Sequence, residues 1–121
     1  MIRGVRGATT VRDNKADEIL DHTKLLIEDM VKQNTIQPED VASVLVSVTS
    51  DLNATFPAKP IRELEGWQYV PVMCTKEIDV PGSLPKCIRV LMSINTERSQ
   101  KDVHHVYHFE AKKLRPDLIN D

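Results

Sequence analysis

Residues 16 to 34 read Ala16-Asp17-Glu18-Ile19-Leu20-Asp21-His22-Thr23-Lys24-Leu25-Leu26-Ile27-Glu28-Asp29-Met30-Val31-Lys32-Gln33-Asn34, and their period decides the fold. Ala16, Ile19, Leu20, Thr23, Leu26, Ile27, Met30 and Val31 recur at steps of three and four, the stripe of an amphipathic helix ending near Asn34. Asp17 and Glu18 fall in the first turn, where the helix dipole favours acids, and Asp13 or Asn14 is the expected N-cap. No other segment carries a helical period of this length. What surrounds it is strand-like.

Before the helix, Ile2 to Thr10 alternates as a strand that puts Ile2, Gly4, Arg6 and Ala8 on one face. After it, Pro38-Glu39-Asp40 opens a turn, and the β-branched run Val41 to Thr49 reads as a buried strand. Pro57 to Glu65 is expected to be a short helix stopped at Gly66, and Gln68 to Met73 a strand that Pro71 confines to an edge or a bulge. Pro81-Gly82-Ser83 is a loop; Cys87 to Asn95 and Val103 to Lys112 are expected as two further strands. The expected class is therefore α+β: a single mixed β-sheet of about five strands with one long helix and a short helix, as one domain over residues 1–121. One long helix covers one face of such a sheet. The economical cover for the other face is a second copy of the chain, which would also protect exposed edges.

With 121 residues, 40% hydrophobic and 28% charged, the composition is that of an ordinary globular chain. A net charge of −2 with bases dispersed, and only 4% aromatic residues, speaks against nucleic-acid binding. No stretch approaches the roughly 20 apolar residues of a membrane span, and Met1-Ile2-Arg3-Gly4 lacks the layout of a signal peptide. Cys74 and Cys87 form no C-x-x-C pair and are expected as free thiols in the cytoplasm.

Arg89 lies in the otherwise apolar Cys87-Ile88-Arg89-Val90-Leu91-Met92, and Arg6 lies between glycines in the first strand. Each alone fits an exposed or ion-paired arginine. Together they fit an anion site, because a guanidinium presents a fork of donors that matches a carboxylate. Glu77, just after a strand, reads on composition as a solvated loop carboxylate. Cys74 has no neighbouring base and has acids at Glu77 and Asp79, so a packing or weak donor role fits better than nucleophilic attack. On a strand His104 and His108 would be about 13 Å apart, too far to share a metal ion, and His105 points the other way. No metal site or cofactor is expected. G-x-x-x-x-G-K-[ST], G-x-G-x-x-G and G-x-S-x-G are absent.

Several blocks carry a more specific signal. They are Ile2-Arg3-Gly4-Val5-Arg6-Gly7-Ala8-Thr9-Thr10, Phe56-Pro57-Ala58-Lys59 with Ile61-Arg62-Glu63-Leu64, and Gly66-Trp67-Gln68-Tyr69-Val70-Pro71-Val72. Lys86-Cys87-Ile88-Arg89-Val90, His105-Val106-Tyr107 and Leu114-Arg115-Pro116-Asp117-Leu118 complete the set. In this order, end to end, the chain resembles the bacterial monofunctional chorismate mutases of the trimeric pseudo-barrel type. The resemblance implies a homotrimer with active sites at subunit interfaces, and a cofactor-free rearrangement of chorismate to prephenate in phenylalanine and tyrosine biosynthesis. It implies that Arg89 reaches the ether oxygen of the breaking bond, Glu77 accepts from the ring hydroxyl, and Arg6 and Tyr107 hold carboxylates. Cys74 resembles the thiol near that hydroxyl. Met73, Thr75 and Lys76 adjoin it in the implied binding strand, and Phe56, Lys59, Arg62, Val72, Leu114 and Arg115 match positions that line or cover the pocket, part of it from a neighbouring chain. Met73 stands where the family often has a smaller polar residue, and the loop Val80-Pro81-Gly82-Ser83 also departs from the pattern. The rival readings are a non-catalytic trimer that binds a small anionic metabolite, an imine deaminase on a similar trimeric fold, and an RNA-binding or structural subunit.

Overall fold

A computed structural model describes residues 1–118 of the chain. Five strands, β1 (Ile2–Thr10), β2 (Val41–Val48), β3 (Val72–Lys76), β4 (Cys87–Asn95) and β5 (Val106–Tyr107), form one mixed sheet in the order β3-β2-β4-β1-β5. The long helix α1 (Ala16–Asn34) joins β1 to β2, and the short α2 (Lys59–Arg62) lies between β2 and β3. β4 is central and antiparallel to both β1 and β2, while the edge strands β3 and β5 run parallel to their neighbours.

Alternation along the strands sorts the sheet into two unlike faces. Val5, Val44, Val46, Ile88, Val90, Met92 and Ile94 point to one side and are buried against Ile19, Leu26, Ile27 and Met30 of α1. Gly7 makes that approach possible: a Cβ there would collide with the Sδ of Met30. The opposite face is open within one chain, and Ile2, Leu45, Met73 and Leu91 are exposed on it. The expected buried strand at 41–49 is therefore buried on one side alone. On α1 the stripe holds from Ile19 to Asn34, but Ala16 is exposed and Leu20 and Val31 are half-buried at its margin.

Four local expectations need correction. The N-cap of α1 is Lys15, with no side-chain cap. Asn14 instead turns its amide oxygen to the backbone N–H groups of Asn53 and Ala54, and Glu18 reaches back to the N–H of Arg12, so long-range contacts outcompete the local cap. The short helix is confined to Lys59–Arg62. The strand expected at Gln68–Met73 begins only after Pro71, at Val72, because residues 67–70 close a turn in which Val70 N–H donates to Trp67 O. The strand expected at Val103–Lys112 pairs only at Val106–Tyr107. Phe109 then takes a left-handed φ of 52°, which turns the chain into a 3₁₀ segment, Phe109–Lys113, and ends the ladder. That segment lays Ala111 against Ala8 and Tyr107, with Leu114 packed beside them. The C-terminal stretch is thereby brought round to the open face.

Candidate active site

The ladder registers place residues distant in sequence side by side on the open face. Thr75 pairs with Ser47, Ser47 with Arg89, Arg89 with Ala8, and Ala8 with Tyr107, so one row crosses all five strands. A second row, Met73, Leu45, Leu91 and Arg6, lies two residues along. With strands about 4.8 Å apart, each row is a fixed ruler of side chains on hydrogen-bonded backbone. Between them lies a cleft of about 350 Å³ lined by Arg6, Thr75, Glu77, Arg89 and Tyr107, among others.

Arg89 projects into this cleft with its side chain 53% exposed and donates from Nη1 to Oε1 of Glu77 at 3.1 Å. Glu77 follows β3, and its backbone N–H is held by Val48 O at 2.9 Å. Tyr107 is buried. Burial raises the pKa of its phenol against the opposing pull of Arg6, Arg115 and Arg89, so at neutral pH it keeps its proton and can donate it. Arg6 lies across the cleft, its backbone N–H donating to His105 Nδ1 at 2.9 Å. The floor between these charges is apolar, from Ala8, Leu45 and Leu91. The arrangement can seat a small anion with more than one acidic group. Among the described residues, no group of three or more His, Cys, Asp or Glu side chains is placed to hold a metal ion. His104 is fixed through its backbone to Asn34, and His108 pairs with Asp29 at 2.8 Å.

The remaining residues singled out from the sequence are not gathered into the cleft of one chain. Cys74 alternates with Thr75 and turns to the side where Val72 packs on the core, opposite Arg89. Met73 is on the open face but exposed beyond the cleft lining, and Lys76 ends β3 in solvent. Phe56 is 77% exposed, and Lys59 and Arg62 are exposed on the segment that packs beside α1. Leu114 lies behind Tyr107, and Arg115 is engaged by both carboxylate oxygens of Asp117 at 3.0 and 3.1 Å. Conversely, Gly7, Ala8, Leu45, Ser47, Val90 and Leu91 line the cleft without having been expected there. For Ala8, Leu45, Ser47 and Leu91 the signal was alternation, which becomes readable only when the pairing register is known; Gly7 and Val90 belong to the core-facing set and carried no such signal.

A row of a buried phenol, a strand-borne arginine and its carboxylate on a five-strand sheet can be compared with known proteins. The family model described as chorismate mutase type I matches residues 2–118. The chain belongs to this family. Chorismate mutase AroH of Bacillus subtilis (strain 168) is 54% identical over 118 residues, covering 98% of this chain and 93% of that protein. Chorismate mutase AroH of Thermus thermophilus is 45% identical over 119 residues, covering 98% and 97%. A solved chorismate mutase from Clostridium thermocellum superposes with a TM-score of 0.88 at 49% identity, over 91% of this chain and 97% of that one. Membership makes the protein an enzyme, an isomerase, rather than a binding module, a deaminase or an RNA-binding subunit.

Proposed function

We propose that the enzyme converts chorismate to prephenate by holding the folded conformer of the dianion in the cleft and neutralising charge on its ether oxygen with Arg89. The rearrangement moves electrons around a six-atom ring and asks for no nucleophile, proton shuttle or cofactor. Its C–O bond breaks as a C–C bond forms, and electron density gathers on the ether oxygen midway. A guanidinium already aimed there meets that charge without reorganising, and a contact that strengthens in the transition state lowers the barrier. Such a donor is worth about 3–4 kcal/mol, or two to three powers of ten in rate. Arg6 and the Tyr107 phenol hold carboxylates, and Glu77 accepts from the ring hydroxyl, which restricts the substrate to a reactive shape.

The observation that carries this reading is the placement of Arg89: fixed by central β4, beside Glu77 and in the row that ends at Tyr107. The cleft is open on the side that carries Leu45, Leu91, Met73 and Ile2. We infer that this apolar face closes against neighbouring copies in a homotrimer. Phe56, Lys59, Arg62 and Arg115 would then complete each site from the chain that supplies them, with Cys74 and Met73 contributing through the β3 edge. Closure also excludes water, which strengthens the Arg89 contact. A cytoplasmic location follows from free thiols and a metabolic substrate, and fractionation of cells tests it.

The decisive experiment is to mix purified protein with chorismate and follow its absorbance together with the appearance of prephenate. Saturable conversion supports the reading. Persistence of chorismate at high enzyme concentration in well-folded protein would overturn it.

A further inference from the structure

Arg6 and His105 stand opposite one another where β1 leads into its parallel pairing with β5, and they touch twice. The Arg6 backbone N–H lies 2.9 Å from His105 Nδ1, and Arg6 Nη1 lies 3.3 Å from His105 Nε2. A backbone amide can only donate, so Nδ1 must be the acceptor. In a neutral imidazole the single hydrogen then sits on Nε2. The second contact is therefore donor beside donor: the Nε2–H of the ring and the N–H of a guanidinium, neither able to satisfy the other. Two such groups side by side are completed by an acceptor that takes both hydrogens, and a carboxylate offers two oxygens for the purpose. Burial holds the ring's pKa below the ordinary histidine value, with Arg6, Arg115 and His104 acting in the same direction, which keeps this tautomer in place at neutral pH.

We propose that His105 is a further substrate-binding residue, whose Nε2–H joins Arg6 Nη1 in seating one carboxylate of the substrate. This rests on the reading of Arg6 as a carboxylate-holding group. His105 precedes β5 and stands beside Arg6, which lines the cleft together with Tyr107, so its ring borders the cleft through its contact with Arg6. The ring has two duties: Nδ1 fixes its orientation on the β1 backbone, and Nε2 does the binding.

Three substitutions separate these duties. His105→Phe keeps the ring and removes both nitrogens. His105→Asn keeps an acceptor for the Arg6 N–H but withdraws the outer donor, and it serves the same test should the Phe variant fail to fold. His105→Gln restores a donor near Nε2. Expected is a rise in KM for chorismate of about tenfold in the Phe and Asn variants, the loss of one hydrogen bond to a charged group, with kcat changed far less. Recovery of most of that loss in the Gln variant is also expected. In an Arg6→Ala background, His105→Phe should have a much smaller effect, because the two donors act on one carboxylate. If Arg6→Ala itself leaves KM unchanged, the reading of Arg6 is wrong. If Arg6→Ala raises KM while His105→Phe and His105→Asn match the wild type, or if the two losses simply multiply, the inference about His105 is overturned and that of Arg6 stands.

Discussion

Oε1 of Glu77 lies 3.1 Å from Nη1 of Arg89, so the cation aimed into the cleft is paired with and oriented by a carboxylate of the same chain. The pair is solvent-facing on the arginine side and about three-quarters buried on the glutamate side, an arrangement that restrains the guanidinium without quenching it. Arg89→Lys keeps the charge and loses the fork. Its kcat is expected to fall by two to three powers of ten, about the worth of one oriented donor to developing charge, with far-UV circular dichroism and oligomeric size unchanged. Turnover within a few-fold of the wild type in a well-folded Lys variant would falsify the assignment.

The tail holds a second arginine in check. Asp117 binds the guanidinium of Arg115 through both oxygens, and each partner is exposed. A substrate carboxylate drawn to Arg115 must compete with Asp117. Asp117→Asn should therefore lower KM, by no more than a few-fold since exposed pairs are weak, whereas Arg115→Ala should raise it. Steady-state kinetics on both variants at fixed ionic strength decides the matter, and a higher KM in Asp117→Asn would count against competition.

Gly7 couples the site to the helix behind it. Gly7→Ala is expected to destabilise the protein by about 1–3 kcal/mol through overpacking against Met30, seen as a lower urea midpoint at fixed protein concentration. Shortening the far side with Met30→Ala in the same chain should recover part of that loss. No recovery in the double variant would mean that the backbone, and not the thioether, resists the methyl group.

The open face makes a prediction about assembly. Leu45→Glu or Leu91→Glu places a charge on an apolar surface that is 40% or 45% exposed in the single chain. A chain that stays alone would tolerate either change. A trimer built on this face should dissociate, retaining the far-ultraviolet spectrum of the sheet and helix while losing activity, and light scattering on the eluted protein reports the mass directly.

Cys87 offers a check on packing. Its thiol is 2% exposed, and burial, opposed by Arg89, lifts its pKa to about 11. The thiolate is the reactive form, so a disulfide reagent at pH 8 should leave Cys87 unmodified in the native enzyme and label it promptly in denaturant. Mass spectrometry of digested peptides identifies the site; rapid native labelling at Cys87 would show that β4 opens far more readily than its packing allows.

The long helix, the number of strands and the two arginines were legible because each rests on a local signal: a period, an alternation, a charge in an apolar run. What was misplaced depended on partners far away. The edge strand was drawn too early because Gln68 to Val70 look like a strand until Trp67 closes a turn on them, and the last strand was drawn too long because nothing local announces the left-handed Phe109. Asn14 looks like a helix cap and serves residues 53 and 54 instead. Ser47 and Ala8 join Arg89 through the ladder, a relationship that no window of sequence contains. The resemblance supplied the role of Tyr107, which the pattern placed on a strand without marking it, and the residues of the tail, which no local pattern singled out.

The cross-strand row from Thr75 to Tyr107 has a consequence for how such a catalyst can change. Its spacings are set by main-chain pairing, so they are insensitive to insertions in the turns and acutely sensitive to slippage: moving β4 by one position would swing Arg89 into the hydrocarbon interior and bring Val90 or Ile88 to the reaction. Tuning toward other dianions is therefore open through exchange of individual side chains at fixed stations, while the scaffold itself tolerates almost no sliding.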